Sequence, residues 1–215
     1  MGQALRGERV SAVPCGDCTA CCTSSQFVHI GPDETETLAH IPASLLFPAP
    51  GLPRGHVLLG YDERGHCPML VDGRCSIYEH RPRTCRTYDC RVFPAAGINA
   101  DADKVFIVRQ SRRWNFSFPT HEDAIEHESV RAAASFLEAR RDALPIASRP
   151  ANATQLAVLA LDVYPLFLAR DDRAGRTKVV EPTVETVVAE LTLRVKARER
   201  KGRRSKAGAK ASRAR

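Results

Sequence analysis

Eight cysteines carry the chemistry open to this chain: Cys15, Cys18, Cys21, Cys22, Cys67, Cys75, Cys85 and Cys90, all within the first 90 residues. The first four fall in the stretch CGDCTACC, and the later ones follow after gaps of 44, seven, nine and four residues. The thiolate is the form that binds metal, and a soft thiolate group selects zinc, copper(I) or iron–sulfur centres. Two-residue gaps let neighbouring sulfurs converge through a tight turn. In a helix, at about 100° per residue, the side chains from Cys15 to Cys22 would fall within roughly 120° of the circumference. Cys21 and Cys22 are harder to combine. Consecutive residues of an extended chain point to opposite faces, so the pair is not expected on one tetrahedral ion. Either one of them stands behind the ligands or the centre holds more than one metal.

A C-x2-C pair with a distant second group of thiols is the pattern of a four-thiolate site closed by the fold. Eight cysteines permit two such sites, or one site with spare thiols. The bacterial ferredoxin run C-x2-C-x2-C-x3-C-P needs cysteine at position 25, where this chain has Ser25. His66 and His80 are alternative ligands by proximity, whereas His29, His40, His56, His121 and His127 have no ligand spacing. Arg81 and Arg86, with Tyr78 beside them, are placed to give hydrogen bonds or positive charge to a thiolate-rich centre. The competing reading pairs Arg81 with Glu79 and leaves Tyr78 to packing.

The elements that must position these residues are short. GPDETETLAHI reads as a brief helix with an acidic first turn, and FPAPGLPRG as a loop. In HVLLGYDERGHCPMLVDGRCSIY, β-compatible stretches are separated by the turn signals DERG and VDGR, which predicts hairpins. KVFIVRQ and WNFSF read as further strands, with Trp114 and the phenylalanines in the core. HEDAIEHESVRAAASFLEARRDAL is the clearest helix, with Ile125, Val130, Ala133, Phe136 and Leu137 as its apolar stripe. A buried helix ending before Pro165 follows, then a short strand and a helix starting near Pro182.

Taken together, CGDCTACC and CPMLVDGRCSIYEHRPRTCRTYDCRVF resemble the bacterial CxxCxxCC cysteine-cluster family, the YkgJ type, described as a zinc- or iron-chelating domain. The likeness runs from about Cys15 to Phe93. It includes the CxxCxxCC box, C-P-x-L at Cys67, C-x-I-Y-E-x-R-P from Cys75 to Pro82, and C-R at Cys85 and Arg86. The resemblance implies a metal-chelating centre, with either zinc or an iron–sulfur cluster as cofactor. A more distant likeness is to the flagellin lysine methylase.

At 215 residues the chain can build an apolar core without disulfides. No secretory signal is read at its start, and its longest apolar stretch is interrupted by Asp162 and Pro165. The expected setting is cytoplasmic and reducing, where clustered cysteines serve metals or redox chemistry. The net charge of +7 is uneven: Arg194 to Arg215 carries eleven Lys or Arg against Glu199 alone, and the rest has 21 basic and 24 acidic residues. That tail is expected to be disordered, with weak nucleic-acid or acidic-protein contact as its possible use and solubilisation as the alternative. Dinucleotide, P-loop, zincin and G-x-S-x-G motifs are absent. The sequence therefore predicts an α+β protein with a cysteine-cluster metal-binding region at 1–95, strands and supporting helices of the same domain at 96–199, and a basic tail at 200–215. Its expected function is to hold an iron–sulfur cluster or zinc through thiolates for structure, sensing or metal handling; the alternative is a cluster-dependent oxidoreductase.

Overall fold

Alternating side chains in Val28-His29-Ile30 put two apolar residues on one face and the imidazole on the other. The computed structural model, which describes residues 16–171 and 176–212, makes this stretch strand β1 (Val28–Ile30). With β2 (Leu46–Pro48) and β3 (Val57–Leu59) it forms an antiparallel sheet of order β1-β3-β2. Leu59 is level with both Val28 and Leu46. Pro48 lies on an edge strand, where a missing N–H is tolerated. Below this sheet, Val28, Ile30, Ile41, Leu59, Met69 and Ile77 form one apolar cluster, and the side chains of Cys67, Cys75 and Cys85 pack against it.

Both stretches form turns, but only VDGR closes a hairpin: the strand before DERG, β3, pairs with β1 and β2 instead of with the strand that follows. Asp62 caps the DERG turn by accepting the amides of Arg64 and His66 at 2.9 and 2.8 Å, which holds its carboxyl below the usual range. VDGR closes the hairpin of β4 (Leu70–Val71) and β5 (Arg74–Cys75), with Asp72 and Gly73 at φ +47° and +73° as a left-handed pair. The short helix α1 (Thr35–Ala39) also forms as expected.

Glu34, just before α1, has a part that its spacing does not announce. Its buried carboxylate accepts the amide of Gly31 at 2.9 Å and that of Arg83 at 2.5 Å. It thereby ties the end of β1 to the start of α2 (Arg83–Thr87), the helix that carries Cys85. Thr84 reinforces the join by donating to the carbonyl of His29 at 2.7 Å.

The next stretches correct the expectations. After α3 (Val92–Ala96), KVFIVRQ is not a strand: it forms α4 (Val105–Ser111), and WNFSF has no regular structure. Only Ile107 and Ser111 of α4 are buried, four residues apart on one helical face, while Val105 and Phe106 are exposed. A short apolar run does not separate helix from strand by period, and packing of the Ile107 face decided here. Trp114 is half-buried and Phe118 exposed, so neither belongs to the core.

Compaction divides the chain into residues 1–94 with 99–115, and residues 95–98 with 116–215. In the second unit, α5 (His121–Ala139) starts with a capping box between Thr120 and Asp123 and buries Val130, Ala133, Phe136 and Leu137, as its stripe predicts. Ile125 is only half-buried. The helix α6 (Ala153–Val163) ends before Pro165, and β6 (Leu168–Asp171) pairs with β7 (Arg176–Val179). Phe167 meets Phe136 edge-on at 5.5 Å. The final helix, α7 (Val184–Ser212), runs on through the basic segment that composition assigns to disorder; Ala, Lys and Arg are all good helix formers. The combination of helices with small antiparallel sheets is an α+β fold.

Glu34→Ala strips two amides of their acceptor and is expected to destabilise the first unit by about 2–3 kcal/mol. Urea unfolding followed by fluorescence of Trp114, the chain's one tryptophan, measures this; an unchanged midpoint would show that the carboxylate is not a clamp.

Candidate metal centre

Five segments meet around one cavity of about 440 Å³ in the first unit, and each brings cysteine to its wall. The CxxCxxCC box supplies Cys18 from a loop and Cys21 and Cys22 from the first turn of a 3-10 helix, Cys21–Thr23. Cys67 follows the DERG turn, Cys75 closes the β4–β5 hairpin, Cys85 stands on α2, and Cys90 follows in the next loop. All seven are half-buried, and among the described residues no disulfide joins any two of them. Cys15 lies outside the described residues.

Backbone hydrogen bonds lock the two halves of the cysteine pattern together. The amide of Cys67 donates to the carbonyl of Cys22 at 2.7 Å, and that of Ser25 donates to Gly65 at 2.9 Å. Gly65 has φ +78°, and a Cβ there would run into the Ser25 hydroxyl, so glycine is required twice over. Ser25, in the place of a ferredoxin's fourth cysteine, thus serves this join and does not line the cavity.

The rest of the wall is largely apolar, including Val28, Leu59, Met69, Ile77 and Ile107. Burial in that wall pushes the Cys85 thiol from 9.0 up to about 12, reinforced by Cys22, Cys67 and Cys75 and opposed by Arg81. Burial also raises Cys67, with Cys75 adding to the effect against amide hydrogen bonds from Met69 and Leu70.

Of the non-cysteine residues singled out by sequence, Arg81 and Tyr78 line the cavity and Arg86, exposed on α2, does not. The Arg81 guanidinium lies 3.8 Å from the centre of the Tyr78 ring and donates to the Tyr78 carbonyl at 3.0 Å. It forms no ion pair with Glu79 among the described residues. Neither His66 nor His80 lines the wall.

Two contributors escaped the sequence reading. Trp114 lines the cavity and donates its indole N–H to the Cys90 sulfur at 3.3 Å. Asp89, fully buried between Tyr88 and Cys90, pairs with Arg91 at 2.7 Å, and Arg91 lies 5.6 Å from the Trp114 ring centre. The hint was available in DCR, an acid and a base flanking Cys90, but short charged spacings are too common to single it out.

The raised Cys85 thiol fixes a pH dependence for the metal-free protein. The folded state keeps a proton that the unfolded chain releases above about pH 9, so this contribution to stability is whole below pH 9 and is lost as pH climbs toward 12. Urea midpoints measured with chelator and reductant should therefore fall over that alkaline range. Cys85→Ala should flatten the fall, and an identical fall in the variant would contradict the assignment.

Residues 14–105 match the model of the family CxxCxxCC, described as "Putative zinc- or iron-chelating domain". No curated protein and no solved structure matches the chain. Among the described residues, no helix is long and apolar enough to cross a membrane. The matched segment spans every cysteine of the chain, so the likeness to the CxxCxxCC family is one of the cysteine-bearing residues 14–105.

Proposed function

We propose that the first unit holds a polynuclear iron–thiolate centre, an iron–sulfur cluster in its simplest form, and uses it in electron transfer or metal handling. The observation that carries this reading is the number and spread of thiols: seven cysteines line one cavity of about 440 Å³. A single zinc takes four ligands, fewer than the thiols on this wall. A surplus of thiols suits a group larger than one ion, and softness suits iron–sulfur as well as zinc.

The wall has further features useful to such a group. Arg81 supplies positive charge beside the thiols, and the Trp114 N–H is a hydrogen bond to sulfur of the type that tunes a cluster's potential. Zinc in a four-thiolate site is the alternative, with a structural role.

Anaerobic purification followed by iron, sulfide and zinc analysis of one sample separates the two. The expected result is brown protein containing iron and acid-labile sulfide. Colourless protein with zinc alone would overturn the cluster reading. Cys18→Ser, Cys21→Ser and Cys85→Ser combined should abolish the iron, and retention of it would place the centre elsewhere.

A further inference from the structure

His40 has no ligand spacing in the sequence, and His80 first counts only as an alternative ligand for the cysteines. The fold takes both away from the cysteine cavity and stacks them on each other, with ring centres 3.7 Å apart and planes 10° from parallel. Glu36 lies four residues before His40, on the same face of the α1 turn. One ligand atom from each of Glu36, His40 and His80 lies within 4.8 Å of the other two.

The hydrogen bonding of His40 prepares it for a metal. Its Nδ1 is 2.7 Å from the carbonyl oxygen of Glu36. A carbonyl only accepts, so Nδ1 carries a proton, and Nε2 is the nitrogen left to face a metal. Metal-bound histidines are commonly oriented in this way, with the far N–H tied to a backbone carbonyl. His80 comes from a separate segment, the 3-10 turn Tyr78–His80, where its backbone N–H donates to the Ile77 carbonyl at 2.9 Å. The meeting of the two rings is therefore a product of the tertiary fold, not of helix periodicity.

We propose that Glu36, His40 and His80 form a second metal site, for one divalent transition ion of the zinc class, independent of the thiolate centre. Two imidazoles and a carboxylate suit zinc, nickel or copper rather than calcium or magnesium. Three protein ligands leave a position open to water. Glu36 and His40 are exposed and His80 is half-buried, so the rings have room to tilt out of the stack until both lone pairs meet the ion. His80 falls at an unspecified position of the C-x-I-Y-E-x-R-P pattern, which makes the site a property of this chain rather than of the cysteine motif.

Cobalt(II) added to the full-length protein tests the proposal, because thiolate-bound cobalt has intense near-ultraviolet charge-transfer bands and nitrogen- and oxygen-bound cobalt does not. The expected result is one equivalent bound without those bands, with the ring-proton NMR signals of His40 and His80 shifted by the paramagnetic ion. His40→Ala and His80→Ala should each remove that equivalent and leave any thiolate bands unchanged; Glu36→Gln should weaken it. The site is refuted if wild-type protein with a folded spectrum lacks this equivalent, or if His40→Ala/His80→Ala retains it. Zinc competing the cobalt out with the same dependence on both histidines would support the assignment; failure of zinc to compete would exclude the zinc class.

Discussion

A thiol packed against the apolar cluster around Ile30 and Leu59 resists ionisation, yet only the thiolate can bind a metal. That opposition governs the cysteine-rich unit. For Cys85, with its proton held up to about 12, ionisation at neutral pH costs about 7 kcal/mol at roughly 1.4 kcal/mol per pH unit. Arg81 offsets part of this, but its charge is shared with the Tyr78 ring and carbonyl. A structural metal in a thiolate site supplies on the order of 10–16 kcal/mol, enough to displace such a proton. The same apolar wall that holds the protons on Cys85 and Cys67 would limit the access of water to a bound centre.

The scaffold answers this constraint with short, heavily hydrogen-bonded pieces instead of long elements. The Cys67–Cys22 backbone bond joins two cysteine-bearing segments, the Asp62 turn shapes the chain that leads into Cys67, and the Glu34 clamp ties α2, with its Cys85, to the end of β1. None buries much area, so polar connections do the aligning while the cluster around Ile30 and Leu59 supplies the apolar burial. In the proposed arrangement the histidine site draws on a different set of donors, which keeps the chemistries of the two metals apart.

Much of this was legible in the letters. Cysteine spacing, the turn signals DERG and VDGR, and the stripe of α5 each correspond to a local rule that tertiary structure did not override. The helix at Val105–Ser111 was not legible, because its β-branched run fits either period and only the burial of Ile107 selects one. Nor could local rules find Glu34 and Arg83, Trp114 and Cys90, or His40 and His80. Each pair is separated by 24 or more residues and meets only once the chain is folded.

We propose that the thiols surround several metal atoms rather than one. X-ray absorption at the iron edge of anaerobically prepared protein tests it most directly. The account predicts a first shell of sulfur together with a metal–metal vector from a neighbouring iron. A sulfur shell with no metal neighbour, or a first shell of nitrogen and oxygen, would contradict it.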